Sequence, residues 1–397
     1  MPRAFLAWIG TFSVGCLVVA VAACSYSPRV PEVVRTDSAG VEIVISGPSD
    51  VELTWTLEPL LSLGGADDGP AAFYVVRPGR VGTDDAGHVY VLDVSRSQVV
   101  VFDTTGQHVR SFGGPGRGPG ELSAPSSLAV APDGSVAIFD LGKRGLIQFD
   151  GGGGPLPERP LLGGPTASGS RHIGFTSAGL VVGSMVPPVE GGTFRQALQL
   201  LRGDTTDIVA ELSFPRPEMA RYPSCDVGLN LPRIFEPDIS WDANANTVAF
   251  SGSASYAVEV VEGDRPVRRV RRSLELRPAS EADAVDELDG GFQINVGNGP
   301  CTIPPRAMVE KRGFAENIPW IEELVVSPSG ELWIRRRTIE SATDTKIDVF
   351  DPSGAYVGTL PSAAPFPLLF IGDNMIGAAE KDSTDVERLV LYRVGRE

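Results

Sequence analysis

Three histidines and four cysteines leave this chain of 397 residues little material for nucleophilic or metal chemistry. No Gly-x-Ser-x-Gly elbow, His-Glu-x-x-His pair or Cys-x-x-Cys pair occurs in it. Each of those spacings would have set a nucleophile, a pair of zinc ligands or a dithiol where it could act. The run from Gly113 to Gly120 has the composition of a phosphate loop, but it lacks the Gly-Lys-Ser/Thr ending and opens no helix, so it reads as turns. The remaining candidates are charged: Arg80, Arg171, His172, Asp238, Glu322 and Glu323. Guanidinium groups and carboxylates recognise groups of opposite charge. Asp238 with Glu322 or Glu323 could also offer oxygen ligands to Ca²⁺. No oxygen-rich set accompanies them in the first two repeats described below, so neither a metal nor another cofactor is expected. The alternative for all six residues is a solvated rim holding a few ion pairs.

The charge balance narrows the partners. With 34 basic and 50 acidic residues, the net charge is −16 and the isoelectric point is near 4.7. Nucleic-acid binders carry a basic surface, so nucleic acid is not an expected partner. Arg335-Arg336-Arg337 and the cluster Arg268 to Arg272 are read as polar strand faces on an acidic protein. Hydrophobic residues make up 42% of the chain, enough for a packed core. Its 46 glycines and 33 prolines suit a turn-rich β fold better than a helical one.

The elements that must position the charged residues are visible as a repeat. Gly87-His88-Val89-Tyr90-Val91-Leu92-Asp93, followed by Val101-Phe102-Asp103, lies over Gly134-Ser135-Val136-Ala137-Ile138-Phe139-Asp140, followed by Gln148-Phe149-Asp150. Asp93 to Asp140 and Phe102 to Phe149 are each 47 residues apart. A period in the forties, with a turn followed by alternating strands, predicts propeller blades. Period-2 alternation is expected to put Val89, Val91, Val99 and Val101 on one face. The same turn-plus-strand centre recurs at Gly179, Asn246, Gly330 and Asn374, which with Gly87 and Gly134 makes six blades. Gly and Asn suit these centres because a tight turn calls for positive φ. Leu53–Leu63 ends in the Leu-Gly-Gly that matches Phe112-Gly113-Gly114 after an outer strand. It is therefore expected to supply the fourth strand of the last blade and so close the ring, removing a free sheet edge. The predicted fold is an all-β, six-bladed propeller over residues 38–397.

Counting eight and seven residues back from each centre reaches the start of each innermost strand. This gives Gly79 and Arg80, Ser126 and Ser127, Arg171 and His172, Asp238 and Ile239, Glu322 and Glu323, and Phe366 and Pro367. The charged candidates thus fall on one ring at one channel mouth, with about half expected to point inward. Two insertions, at about 215–237 and 276–319, leave on the same face. Ser280-Glu281-Ala282-Asp283 has the pattern of a helix N-cap, and Pro305–Lys311 fits a second short helix. Cys225 lies in the first insertion and Cys301 in the second, so one disulfide would staple both over the mouth; two unpaired buried thiols are the alternative. Long loops on a rigid scaffold are where binding resides, although these could instead plug the channel.

Gly116-Arg117-Gly118-Pro119-Gly120-Glu121-Leu122 with Pro125, then Pro132-Asp133-Gly134 and Ile138-Phe139-Asp140, resembles an NHL-type repeat. The opening Asp37-Ser38-Ala39-Gly40-Val41 and Trp55 are similar to exported six-bladed propeller lipoproteins of bacteria. The apolar run Ala4 to Ala23 after Arg3 has the form of a signal segment, and Val21-Ala22-Ala23-Cys24 resembles a lipobox. That resemblance implies a signal peptide over 1–23, acylation of Cys24, a tether over 24–37 and an envelope protein whose only contact with the membrane is its lipid. A plain cleaved signal or an uncleaved anchor would also place the chain outside the cytoplasm. In such a compartment the remaining even pair of cysteines is most simply a disulfide. Two functions fit. One is a non-catalytic propeller that binds a protein, peptide or glycan at the decorated mouth. The other is a metal-dependent hydrolase, lactonase or lyase of the six-bladed type.

Overall fold

The computed structural model describes residues 32–65, 69–73, 75–160, 172–186, 193–215, 217–297, 299–338, 345–381 and 386–396. The segment 1–23, Cys24 and Arg171 lie outside the described residues. Six sheets form a six-bladed propeller. From the channel outward, blade 1 is Val81–Thr83, Val89–Asp93, Gln98–Phe102 and His108–Gly113, and blade 2 is Pro125–Val130, Val136–Asp140, Gly145–Phe149 and Arg159–Pro160. Blade 3 is Ile173–Thr176, Gly179–Val186, Thr193–Arg202 and Thr205–Pro215, and blade 4 is Ser240–Asn244, Thr247–Ser251, Ala257–Glu262 and Arg265–Arg272. Blade 5 is Ile321–Val326, Leu332–Arg336, Ile347–Phe350 and Tyr356–Leu360. Blade 6 is Leu369–Ile371, Met375–Lys381 and Glu387–Gly395, completed by the N-terminal strand Thr56–Leu63. The ring closes as the repeat predicts.

Five of the six turn centres fall between the first and second strands of their blades, and the sixth, Gly179, is the first residue of the second strand of blade 3. In two of them the left-handed residue is not the asparagine. Ala245 (φ 50°) precedes Asn246 and Gly372 (φ 58°) precedes Asn374, so the turn's strained position is one or two residues earlier than expected. The aspartates after the third strand have a local task. Asp103, Asp150 and Asp351 each accept hydrogen bonds from the backbone N–H groups two and four residues on, at 2.8–3.0 Å. They tie the outer turn of blades 1, 2 and 5 in the manner of an Asx turn.

Each blade buries one face against each neighbour, and six hydrophobic clusters fill the six junctions. Blade 1 corrects one expectation. Val89 and Val91 pack toward blade 6 with Val100 and Phe102, whereas Val99 and Val101 pack toward blade 2 with Tyr90 and Leu92. The register pairs Val91 with Val100 and Tyr90 with Val101. The turn length therefore puts residues of opposite parity on one face.

The N-terminal segment does more than close the ring. Residues 33–37, expected to be tether, belong to strand β1 (Val33–Ser38), which pairs with β2 (Val41–Ser46) as a hairpin. β2 then pairs in parallel with Arg265–Arg272, extending blade 4 to six strands. Next, Val51 and Leu53 exchange backbone hydrogen bonds of 2.7 and 2.9 Å with Thr359 on the outer strand of blade 5. β3 (Thr56–Leu63) finally pairs with blade 6. Residues 33–63 thus form a belt over the outer edges of three consecutive blades, covering backbone groups that would otherwise be free.

Under the belt lies a buried charge node, which corrects the reading of the arginine runs as polar strand faces. Arg269 does face outward, paired with Glu259, while Arg268 lies on the blade 5 side, paired with Glu42 and donating to the Pro352 carbonyl at 2.8 Å. Arg272 and Arg336 are buried. They meet Asp348, whose carboxylate accepts from Arg336 (2.6 and 2.8 Å), Arg272 (3.3 Å), the Tyr256 hydroxyl (2.6 Å) and Thr359 Oγ1 (2.6 Å). Arg272 also donates to the carbonyls of Gly47, Pro48 and Ser49, and both arginines bind Asp50. In a strand, consecutive arginines must face opposite ways, so one of them turns into the blade junction. There a buried guanidinium needs a carboxylate.

The two insertions make a cap with two small cores of its own. Helix α1 (Glu281–Asp286) begins at Ser280, whose side chain and backbone N–H form a reciprocal capping box with Asp283. Helix α2 (Pro305–Arg312) starts with proline at its first position. Tyr222 and Cys225 from the first insertion pack with Ile303 and Met308 from the second. Cys225 and Cys301 are disulfide-bonded, with Cα atoms 5.8 Å apart.

Candidate functional site

A cavity of about 690 Å³ opens at the mouth of the channel on the face that carries the insertions. Arg80, His172, Asp238, Glu322 and Glu323 all line it. They come from the starts of the innermost strands of blades 1, 3, 4 and 5, or from the loops just before them. Among the described residues of the insertions, only Glu236, Pro237 and Pro319 reach the cavity wall. The stapled body of the cap therefore flanks the mouth and does not roof it.

Most of the charges here are answered by a neighbour. His172 Nε2 lies 2.7 Å from Asp242 Oδ1, and the ring stands edge-on to Trp241 at 4.9 Å. The other Asp242 oxygen accepts the Val326 N–H at 2.8 Å. Arg335 pairs with Glu323 and, at 3.4 Å, with Glu322, and its guanidinium lies over the Phe366 ring. Arg77 pairs with Glu387, and Arg337 with Glu287 of the cap. Burial pushes the Glu323 carboxyl above its ordinary range; Arg335 opposes this and the Glu322 charge adds to it.

Arg80 differs. Its Nε donates to the Ser126 carbonyl at 3.3 Å, and no carboxylate pairs with it among the described residues. Burial, then the nearby Arg77 charge, lower its pKa from the ordinary arginine value. Asp238 is the acidic counterpart: it accepts from the Gln196 side-chain amide, and no cation pairs with it among the described residues. Gln196 also accepts the Ile239 N–H at 3.1 Å, so it orients the carboxylate without neutralising it.

Counting back from the turns missed Asp242, Trp241, Arg77, Arg335 and Arg337. A signal for Asp242 was present. Four residues before each centre stand Thr83, Val130, Phe175, Asp242, Val326 and Phe370, one charge in a row of uncharged residues. Among the described residues, no group of three or more His, Cys, Asp or Glu is placed to hold a metal ion. The oxygen set of Asp238 with Glu322 or Glu323 does not assemble there as a cation site. Among the same residues, no helix is long and apolar enough to cross a membrane.

Comparison with known proteins agrees with the fold. A family described as a 6-bladed beta-propeller matches residues 71–161. No curated protein matches the chain. A protein of Bacteroides fragilis described as a putative exported protein superposes with a TM-score of 0.51 at 14% identity, covering 89% of this chain and 99% of its own. A member of the DUF4221 family from Bacteroides vulgatus gives a TM-score of 0.49 at 10% identity, covering 86% of this chain and 99% of its own. The family match and the likeness to the Bacteroides fragilis protein support the architecture, a six-bladed propeller, and that alone.

Proposed function

We propose that the protein is a cell-envelope lipoprotein whose propeller binds a ligand or a segment of a partner at the decorated mouth, without catalysing a reaction. The observation that carries the binding half is the 690 Å³ cavity with a half-buried cation, Arg80, that no described carboxylate answers. Small-molecule sites occupy roughly 300–1,000 Å³ and combine apolar walls with a few convergent polar groups. Trp241, Ile239 and Leu368 supply such walls here. The envelope half is supported by the lipobox-like Val21-Ala22-Ala23-Cys24 and by a disulfide suited to an oxidising compartment.

The binding test is a thermal-shift screen of amino acids, peptides, sugars and organic acids against the full chain and against Ser126→Trp, which fills the mouth. Ser253→Trp serves if the first variant does not fold. At least one compound class should stabilise the parent and not the filled variant; equal shifts in both, or none in either, refute the reading. For the anchor, Cys24→Ala should abolish acyl labelling and move the protein out of the membrane fraction.

A further inference from the structure

Resting on the mouth as the binding site, we infer that its ligand is a zwitterionic peptide of a few residues, with its C-terminal carboxylate on Arg80 and its N-terminal ammonium on Asp238. The two residues stand on blades 1 and 4, and in a ring of six those blades are opposite each other. Their charges have opposite sign, and each lacks an ionic partner among the described residues. Both are nonetheless held in place. The Arg80 Nε is fixed on the Ser126 carbonyl, which leaves the two terminal nitrogens of its fork to meet a carboxylate end-on. Asp238 is fixed by Gln196, which donates a neutral amide and leaves the negative charge unanswered.

The remaining acids at the rim do not compete for the same ligand group. Glu323 and Glu322 share Arg335, Glu236 is paired with Arg233, and Asp242 is taken by His172 and the Val326 N–H. The wall also carries apolar surface from Trp241, Ile239, Pro367 and Leu368. A single anion would leave Asp238 without a counter-ion, and a neutral glycan would leave both charges without one, the half-buried Arg80 included. An acidic glycan answers Arg80 only. A molecule with a carboxylate at one end, an ammonium at the other and a polar, partly apolar body between them answers every feature. About 690 Å³ is more room than one amino acid fills and suits a short peptide.

The experiment uses the full chain in detergent and the twenty free tripeptides Ala-Xaa-Ala, followed by calorimetry. The best binder is then compared with its C-terminal amide and its N-acetyl form. Losing one charge-assisted contact should weaken binding about tenfold or more. In Arg80→Gln the free acid and the amide should bind equally while the acetyl penalty persists; in Asp238→Asn the reverse should hold. No binding by any tripeptide, end-blocking without effect, or an equal loss of acid and amide affinity in Arg80→Gln would overturn the assignment. If a sugar or organic acid from the screen binds the parent and not Ser126→Trp while tripeptides fail, the mouth reading survives and the peptide assignment falls.

Discussion

The protein holds two clusters of charge that are built on the same residue types and treated in opposite ways. At the junction of blades 4 and 5, Asp348 is wholly buried and receives five hydrogen bonds from two arginines, a tyrosine and a threonine. At the channel mouth, Arg80 and Asp238 are held by neutral groups and left without counter-ions among the described residues. A buried ion network tolerates low dielectric only when nearly every lone pair and proton is used. A binding site must leave something unused. The difference between the clusters is thus one of completion, and completion separates charges that hold the fold from charges that await a partner.

The strongest way to break this comparison is to remove the centre of the complete cluster. Asp348→Asn should cost about 3–5 kcal/mol in denaturant unfolding, because two buried guanidinium groups then share only Asp50. Arg80→Gln should stay within about 0.5 kcal/mol of the parent. Similar losses for the two variants would erase the distinction.

A smaller effect comes from acid. Burial alone would raise the Asp50 carboxyl, but hydrogen bonds and charge from Arg336, then from Arg272 and Lys346, outweigh it and hold the group well below its ordinary value of 3.8. Asp50 therefore stays ionised in the fold where the unfolded chain takes up a proton. Its contribution is present above pH 3.8 and is lost as pH falls below it. Asp50→Asn should flatten that part of the stability profile and cost about 2 kcal/mol at neutral pH.

The smallest effect carries the opposite sign, which sharpens the comparison. Glu323 at the mouth has its pKa raised above 4.5, first by burial. The folded state there binds the proton more tightly than the unfolded state, so stability declines as pH rises through the window just above 4.5. Glu323→Gln should remove that decline, measured as unfolding midpoints between about pH 4 and 6. A profile unchanged from the parent would mean that Arg335 already neutralises Glu323 in full.

The blades were legible in the sequence because the inner strands of each lie within about fifty residues of one another, and a strand–turn–strand unit repeats its glycines and aspartates when it repeats its geometry. Closure by β3 and the disulfide were legible for a related reason: Leu-Gly-Gly and the paired cysteines mark particular positions. The parallel docking of β2 on Arg265–Arg272 left no such mark. A hairpin such as Val33–Ser46 has the same alternation whichever sheet edge receives it. The burial of Arg272 and Arg336 was hidden in runs where neighbouring arginines face solvent. It would have required matching each inward arginine to Asp348, an aspartate in the otherwise apolar Ile347–Phe350. At the mouth, counting from the turns found the ring but not its pairings, since His172 and Asp242 meet across blades 3 and 4.

The belt sets a timetable for assembly. Blades 1 to 3 can form from neighbouring segments as soon as those segments exist, whereas β2 must wait for Arg265–Arg272, Val51–Leu53 for Tyr356–Leu360, and β3 for Glu387–Gly395. The hairpin of β1 and β2, and β3 after it, therefore dock long after they are made. Such distant pairings bear their loop-closure entropy before any contact repays it, and chains dominated by them fold slowly. Until Glu387–Gly395 is in place, blade 6 has no strand to receive β3 and the ring cannot close, and it is in that interval that a mispairing with another copy is most costly.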